Sequence, residues 1–396
     1  MTPTTATTTH LALPFFDDVH RELGARLAGW MDGQQVDESD DRRACREWVR
    51  HLGDAGWLRY CVPSGTDGRL GGALPRLDSR ALVILRETLA FHSPLADFAF
   101  AMQGLGSGAI TLAGTPAQQA AYLPQVASGG KIAAFALSEA DAGSDAGAMT
   151  TRAAEAAGGW TINGSKTWIS NGGIADFYVT FAKTEFDAGT RGITAFIIDA
   201  DTSGLDASQH IAVMSPHPLA TLRFTDCRLG GSAQLGALNG GFKLAMRTLD
   251  IFRASVAGAA LGMARRALQE AVRHAKTRKM FGQTLANFQL TQARIGEMAA
   301  LVDGAALLTY RAAWLRDEGE RLENPARVTA EAAMAKMTAT DNAQRVIDMA
   351  LQMHGGLGVK VGTKVESLYR DIRSLRIYEG ATEVQQLIIG KAVLQS

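Results

Sequence analysis

The spacing of apolar residues changes twice along the 396 residues of this chain. From about residue 15 to 130, and again after Gly240, apolar residues recur every three or four positions, as on one face of an α-helix. Between these regions, shorter apolar runs are separated by glycine-bearing turns, which is typical of β-strands. We therefore predict a mostly α-helical protein with three domains: 1–130 helical, 131–240 antiparallel β and 241–396 a helical bundle.

Individual elements follow from the same pattern. Helices are predicted over 17–31, 40–52, 79–91, 242–276, 287–319, 324–354 and 365–373. Strands are predicted over 177–184, 193–199 and 221–229. The Asn163-Gly164-Ser165 sequence predicts a hairpin turn between strands 160–162 and 166–170, because Asn-Gly is the strongest short-range hairpin signal. For the glycine-rich run 104–108, close packing against a neighbouring helix is favoured over a ligand contact.

Composition and charge exclude several function classes. Lys+Arg and Asp+Glu number 40 each, so the chain lacks the basic field that nucleic-acid binding requires. The three cysteines, Cys45, Cys61 and Cys227, are scattered without metal-binding spacing, which predicts no metal site and fits a reducing cytosol. No apolar run approaches 18 residues, and the first ten residues resemble neither a signal nor a transit peptide. These features predict a cytoplasmic protein without a membrane span.

Two segments near the start of the β region suit a planar, hydrogen-bonding ring such as the isoalloxazine of a flavin. Residues 135–145, FALSEADAGSD, combine small residues around Gly143 with the hydroxyls of Ser138 and Ser144. Trp168 and Ser170 lie two positions apart on a predicted strand, where alternation places both on one face. Each segment alone is also compatible with an ordinary loop or an ordinary core tryptophan.

Two later segments suit a phosphate-bearing ligand. Arg278 begins an RKMFG sequence at a break between two predicted helices, where its guanidinium could grip a pyrophosphate or simply stabilise a helix end. The QMHGGLG sequence of 352–358 needs no function beyond ending a helix, and His354 is expected to cap or pack. Near the C-terminus, Glu379 lies between Tyr378 and Gly380, as suits a proton-abstracting carboxylate in a poorly hydrated site.

Taken together and in this order, these segments resemble the acyl-CoA dehydrogenase family over about residues 80 to 390. The matching sequences are SEADAGSD, KTWISNG, RKMFG, QMHGGLG and IYEGATEVQ. The resemblance implies an N-terminal α domain, a middle β domain and a C-terminal four-helix bundle. It also implies an FAD cofactor at a subunit interface of a homotetramer, with a homodimer as the alternative.

The resemblance also implies roles for individual residues. Glu379 would be the catalytic base, and Arg253 would orient the loop that carries it. The residues implied to bind FAD are Phe135, Leu137, Ser138, Gly143, Ser144, Trp168, Ile169, Ser170, Arg278, Phe281, Gln289, Gln352, Gly355, Gly356, Ala381 and Glu383. The residues implied to face the thioester or its pantetheine arm are Ser144, Asp250, Phe252, Arg253, Tyr378 and Gly380.

The implied reaction is α,β-dehydrogenation of an acyl thioester, in fatty acid or secondary metabolism. The substrate would be an acyl-CoA or an acyl group on a carrier protein, and the electron acceptor an electron-transfer flavoprotein or oxygen. Some relatives carry their base on the helix around residue 252, but Phe252 in this chain leaves Glu379 as the candidate. Ala140 and Ala381 replace a usual proline and a common hydroxyl residue.

Other functions on the same scaffold are possible from the sequence. A non-dehydrogenating flavoprotein could oxidise a nitroalkane or desulfinate a thioester, although Glu379 and Arg253 argue against both. Family members linked to alkylation damage bind DNA through basic C-terminal surfaces. The formal net charge of zero and the absence of a basic extension argue against that function.

Overall fold

The computed structural model describes residues 9–319 and 325–395, which form two compact units. Unit 1 comprises Met1–Gln35, Ser79–Asp97 and Arg253–Ser396, and unit 2 comprises Val36–Asp78 and Phe98–Phe252. The first 130 residues therefore contribute helices to both units. The predicted domain boundaries at 130 and 240 stay a prediction.

The helices end close to where the apolar spacing predicts. They are α1 (Asp18–Met31), α2 (Asp41–Asp54), α3 (Ser79–His92), α4 (Pro94–Ala113), α5 (Pro116–Ser128), α6 (Gly241–Thr277), α7 (Gln289–Glu318), α8 (Pro325–His354), α9 (Lys364–Leu375) and α10 (Thr382–Leu394). Where the sequence analysis predicted the first and last residues of a helix, the observed ends lie within two residues of the predicted ones. The predicted start of α8 at Asn324 lies outside the described residues.

Unit 1 is a helical assembly in which α7 packs on α3 and α8, and α8 packs on α9 and α10. Its core combines alanines of α6, α7 and α8 with larger residues such as Met298, Tyr310 and Ile347. Two glycines of α6 allow it to approach α3 closely. A Cβ at residue 258 would lie 2.7 Å from the Val83 carbonyl oxygen, and one at residue 262 would lie 2.1 Å from that of Glu87. Any larger residue at these two positions would force the helices apart.

Unit 2 is built on an eight-stranded sheet. Its strands are β1 (Ala133–Ala136), β2 (Arg152–Ala156), β3 (Gly159–Ser170), β4 (Phe177–Lys183), β5 (Ile193–Asp199), β6 (Leu205–Ile211), β7 (Leu219–Gly230) and β8 (Gln234–Leu235). The order is β6-β7-β3-β2-β4-β5-β8, and β1 pairs with β4 in parallel. Two further short strands, β9 (Lys279–Met280) and β10 (Gln283–Thr284), form a separate hairpin in unit 1. The helical, β, helical order of elements is confirmed.

The predicted hairpin turn at Asn163–Ser165 is wrong, because β3 runs unbroken through these residues. Asn163 and Gly164 instead lie at a register shift between β3 and β7, where Gly164 has a φ of 142°. The Asn163 side chain exchanges two hydrogen bonds with Asp226 on β7. The Asn-Gly sequence that predicted a turn therefore forms a β-bulge, which favours the same permissive residues as a tight turn. The actual hairpin joins β2 to β3.

The glycine-rich run on α4 packs closely, as predicted. A Cβ at residue 104 would lie 2.6 Å from the Phe252 ring, and one at residue 106 would lie 2.6 Å from Ala133. Among the residues that the structure describes, no helix is long and apolar enough to cross a membrane.

Candidate active site

The loop 376–381, between α9 and α10, carries Glu379 in an unusual backbone conformation. The φ of Glu379 is 51° and that of Gly380 is 89°, both in the left-handed region that residues with a side chain rarely adopt. The φ of Gly380 favours glycine there, and a Cβ at this residue would also lie 2.4 Å from Gln385 Nε2. Strained backbone of this kind persists only where the surrounding structure fixes it, and it occurs often at functional sites.

The Glu379 carboxyl group is well placed to accept a proton. The residue is half-buried, and its Oε2 atom is shielded from solvent with no hydrogen-bond partner within residues 9–319 and 325–395. Burial raises the pKa of Glu379, because a poorly hydrated site disfavours the charged form. The positive charges of Arg86, Lys336 and Arg253 oppose this rise without cancelling it. Glu379 is therefore a stronger base than a solvated carboxylate.

Arg86 and Asp97 form a buried ion pair whose charges act on Glu379. Arg86 donates from Nε and Nη2 to the two Asp97 oxygens at 2.8 and 2.9 Å, and from Nη1 to Ser255 Oγ at 3.1 Å. Each side chain of the pair is only 3% exposed. The Asp97 carboxylate raises the pKa of Glu379, while the Arg86 guanidinium lowers it. Such bidentate geometry fixes both charges in place.

Arg253 and Lys336 contribute two further buried cations next to Glu379. Arg253 lies on α6 and is 5% exposed. Lys336 lies on α8, is fully buried, and donates from Nζ to the Gly380 carbonyl oxygen at 2.6 Å. The structure thus brings together Arg253, Tyr378, Glu379 and Gly380, four of the residues that the sequence analysis placed at the site. All four lie within unit 1.

The loop that follows β1 in unit 2 is held by a buried ion pair. Lys166 on β3 donates from Nζ to the Leu137 carbonyl at 2.9 Å and to Glu139 Oε1 at 2.8 Å. Glu139 also accepts hydrogen bonds from the backbone N–H groups of Thr150 at 2.6 Å and Thr151 at 3.0 Å. These contacts tie the two ends of the loop to each other and to β3.

Both members of this pair are charged at neutral pH. Burial raises the pKa of Glu139, but the attraction of Lys166 and the hydrogen bonds of Thr150 and Thr151 outweigh it and bring the pKa to about 2. Burial lowers the pKa of Lys166 to about 8, against the attraction of Glu139. An ion pair inside a protein is retained only when its hydrogen bonds are satisfied.

The remaining predicted flavin contacts of this loop differ in exposure. Phe135 and Ser138 are half-buried, with the Phe135 ring 5.0 Å from that of Phe181. Gly143 and Ser144 are exposed, and a Cβ at residue 143 would meet no atom within 4 Å. The loop therefore offers open space at its glycine and buried apolar groups at its base.

Trp168 and Ser170 flank the buried Ile169 near the end of β3. Trp168 is 57% exposed and has a φ of 60°, and it lies at a register shift between β3 and β7. The bulge turns a large aromatic side chain outward, which is costly unless something covers it. Ser170 Oγ lies 3.1 Å from Nε2 of His217, a contact that the sequence did not suggest. Burial lowers the pKa of His217 to about 3, so the ring is neutral.

A cleft of about 310 Å³ in unit 1 brings Arg278 together with the end of α8. Its lining includes Arg278, Gln352, Gly355 and Gly356, which were predicted as a group. His354 donates from Nδ1 to the Ala350 carbonyl oxygen at 2.7 Å, so it packs as expected. A cation beside two glycines provides charge and open backbone, the two features that a phosphate site needs.

Other predicted site residues lie outside this cleft. Phe281 is 86% exposed with a φ of 48°, and Gln289 is exposed at the first position of α7. Ala381 and Glu383 lie at the start of α10, with Ala381 half-buried and Glu383 exposed.

In unit 2, Asp250 and Phe252 lie on the first part of α6. Asp250 is half-buried, while Phe252 is buried with its ring against the glycines of α4. Their predicted substrate contacts stay a prediction.

These residues fit FAD chemically. The outward-facing Trp168 and the hydroxyl of Ser170 suit a planar ring with hydrogen-bonding edges. The cleft beside Arg278 suits a diphosphate, because a guanidinium grips phosphate oxygens in pairs.

The sequence reasoning missed Arg86, Asp97, Lys336, Lys166 and His217. Arg86 and Lys336 had a detectable signal, since each is a charged residue at the apolar spacing of its helix. Asp97, next to the start of α4, and His217, in a loop, had none. Lys166 lies between two polar residues on β3, so nothing in the sequence indicated that its side chain is buried.

Comparison with protein families gives matches over nearly the whole chain. Three domain models match in order: "Acyl-CoA dehydrogenase, N-terminal domain" at residues 19–130, "middle domain" at 134–227 and "C-terminal domain" at 239–394. These ranges span the helical, β and helical regions described above.

Individual proteins are similar as well. The chain is 37% identical to a "3-(aryl)acrylate reductase" of Clostridium sporogenes, over 96% of this chain and 100% of that protein. It is 39% identical to "Caffeyl-CoA reductase-Etf complex subunit CarC" of Acetobacterium woodii, over 88% of this chain and 90% of that protein. The solved structure of butyryl-CoA dehydrogenase from Megasphaera elsdenii is 32% identical and superposes with a TM-score of 0.88, covering 96% and 99% of the two chains.

Proposed function

Because this chain belongs to the acyl-CoA dehydrogenase family of FAD-dependent oxidoreductases that act on CH–CH groups, we propose that it dehydrogenates an acyl thioester with Glu379 as the base. One observation carries the proposal. Glu379 combines a shielded, unpartnered Oε2 atom with a raised pKa and a fixed, strained backbone. A carboxylate in that state suits removal of a weakly acidic proton.

In the proposed reaction, the α-carbon loses a proton to Glu379 and the β-carbon loses a hydride, which leaves an α,β double bond. FAD, when bound, supplies the acceptor for the hydride. The α-proton of a thioester is too weakly acidic for a solvated carboxylate to remove quickly, so the dry surroundings of Glu379 matter. The positive charges of Arg86, Lys336 and Arg253 favour the ionised form of that carboxylate and limit the rise of its pKa that burial causes.

The residues proposed to hold FAD form two groups, each suited to a different part of the cofactor. The 135–145 loop and Trp168, with Ser170, would contact the ring. Arg278 and the end of α8 would contact the diphosphate and adenosine part. This division follows from the chemistry of the two sites: hydrogen-bonding and apolar groups at the first, and a cation with open glycine backbone at the second.

Arg278→Met is expected to weaken FAD binding by about 10- to 100-fold, since a hydrogen bond to a charged group contributes roughly 1.5–3 kcal/mol. Arg278→Lys should recover part of this loss, because it keeps the charge without the paired donors. Flavin fluorescence during titration of the apoprotein measures the dissociation constant. Equal affinity in the wild type and Arg278→Met would remove Arg278 from the FAD site.

The rate of flavin reduction is expected to fall at low pH with a midpoint above about 4.3, the ordinary pKa of a glutamate side chain. Glu379 must be ionised to accept a proton, and its burial raises its pKa. Protonation therefore sets in at a higher pH than it would in water. Stopped-flow measurements across the acid range, with thioester in excess, give the midpoint. A rate that stays level down to about pH 4 would contradict the raised pKa.

The function itself is tested by anaerobic titration of the purified holoenzyme with thioesters. The panel should include butyryl, longer aliphatic and aryl-propionyl groups, each on CoA and on an acyl carrier protein. Bleaching of the flavin absorption by one of them supports the proposal and identifies the acyl group and its carrier. If no thioester bleaches a flavin that dithionite does reduce, the proposal is wrong.

Reduction of an enoyl thioester is a second candidate for the physiological direction. It is favoured by the names of two similar proteins, an arylacrylate reductase and a caffeyl-CoA reductase subunit. Glu379 would then return a proton to the α-carbon. The second name also mentions an Etf complex, so we propose an electron-transfer flavoprotein as electron partner, with oxygen as the alternative. Comparing the rates of bleaching by acyl and reoxidation by enoyl thioesters separates the directions.

We also propose that the chain assembles as a homotetramer, with a homodimer as the alternative. Light scattering of the FAD-loaded protein measures the mass directly.

A further inference from the structure

Lys336 is a buried cation attached to the loop that carries the proposed base. It lies on α8, is 0% exposed, and donates from Nζ to the Gly380 carbonyl oxygen at 2.6 Å. Three of its four neighbours one turn away on α8, Ala332, Ala333 and Ala339, are buried alanines, and the fourth, Thr340, is buried and bonds to the Lys336 carbonyl oxygen. Burying a lysine in such surroundings costs free energy unless its ammonium group is paired and hydrogen-bonded.

The same carbonyl oxygen receives a second donor from α10. Gln385 is fully buried, and its Nε2 lies 2.9 Å from the Gly380 oxygen and 3.4 Å from that of Glu379. Two donors from two helices therefore converge on the carbonyl oxygen of Gly380, the residue directly after Glu379. This accounts for the stability of the left-handed backbone at Glu379 and Gly380.

The charged groups around Lys336 come from several elements. Glu379 and Arg376 lie on the 376–381 loop, Asp341 on α8 and Arg253 on α6. Burial lowers the pKa of Lys336 to about 8, with Glu379 opposing that change and Arg253 reinforcing it. Asp341 is also paired with Arg376 Nε at 2.7 Å. Lys336 is therefore protonated at neutral pH and acts as a positive charge on Glu379.

Glu379 is faced by other charges as well. Arg86 on α3 and Arg253 on α6 add positive charge, and Asp97 on α4 adds negative charge. Asp97, although paired with Arg86, offsets only part of the Arg86 charge, which remains the largest charge effect on the pKa of Glu379. Lys336 contacts the backbone next to Glu379 directly.

We propose that Lys336 is a positioning residue for the reaction: its ammonium group fixes the loop through the Gly380 carbonyl oxygen and places a positive charge beside Glu379. The proposal rests on the proposed role of Glu379 as base. Lys336 acts by holding the base in place and by charge.

The test compares two matched variants of the holoenzyme, Lys336→Met and Gln385→Met, by the pH profile of anaerobic flavin bleaching. Each removes one donor to the Gly380 oxygen, but only the first removes a charge. In Lys336→Met the acid limb of the profile is expected to move up by about one pH unit, since a nearby opposite charge lowers a carboxyl pKa by about that much or more. In Gln385→Met the rate should fall at every pH while the limb stays in place.

Lys336→Gln provides a second variant should Lys336→Met fail to fold. It keeps a hydrogen-bond donor without the charge, so the same upward movement of the acid limb is expected. If the acid limb of the pH profile stays at its wild-type position in the Lys336 variants that fold, the proposal is overturned. Failure of the proposed function has a different appearance: no thioester would bleach the wild-type flavin at any pH.

Discussion

Glu379→Gln is expected to bind FAD normally and to lose thioester-dependent bleaching by at least about 10³-fold in rate, as is typical for loss of a general base. Glutamine has the same shape as glutamate but cannot accept the α-proton. The fixed backbone of the 376–381 loop should keep the substituted side chain in place. Stopped-flow absorption with saturating thioester measures the rate, and the flavin spectrum verifies cofactor content.

Glu297→Gln is the matched control for this variant. Glu297 is an exposed residue of α7 that pairs with Arg345 at the surface. Its substitution should leave the bleaching rate unchanged, because exposed ion pairs contribute little. Bleaching of Glu379→Gln at the wild-type rate would reject Glu379 as the base.

The second large effect is expected from Lys166→Met, which should lower the free energy of unfolding by roughly 3–5 kcal/mol because it leaves a buried charge unpaired. The unpaired group is Glu139, which anchors the 135–145 loop through Thr150 and Thr151. The double variant with Glu139→Gln should recover much of the loss, since neither charge then remains. Lys183→Met, at a half-buried lysine on β4, is the control and should cost less than about 1 kcal/mol. Urea unfolding measures all of these, and equal effects of the two lysine substitutions would contradict the account.

The same ion pair gives a pH dependence of known sign. The pKa of Glu139 in the folded protein is about 2, below that of the unfolded chain. Its contribution to stability is therefore complete above the unfolded pKa of about 4.3 and is lost as the pH falls toward the folded value. In Lys166→Met the depressing charge is gone and the folded pKa moves toward the unfolded one, so the loss of stability at acid pH should be smaller than in the wild type.

Helices and the major strands could be predicted from the sequence because their apolar spacing is strong and long. Helix α6 shows this well: its ends are within one residue of the prediction. The hairpin turn at Asn163 could not be predicted correctly, since a bulge and a turn favour the same residues. Strand β6 was missed because its residues, LDASQHI, carry little apolar alternation.

The candidate site could be predicted only in part, for a physical reason. Glu379 has neighbours in sequence, Tyr378 and Gly380, that made its chemistry visible. Lys336 and Arg86 act through contacts across 44 and 11 residues of chain, to Gly380 and Asp97, which only the folded structure reveals. The available sequence signal for Lys336 and Arg86 was a charged residue at a position where the helix pattern expects an apolar one.

The most direct test of the central claim is proton exchange without oxidation. A thioester with α-protons but no β-hydrogen, such as 3,3-dimethylbutyryl-CoA, is incubated with the holoenzyme in D₂O, and α-deuteration is followed by NMR. We expect the wild type to catalyse exchange and Glu379→Gln to lose it. Exchange at equal rates in the two proteins would show that another group removes the proton.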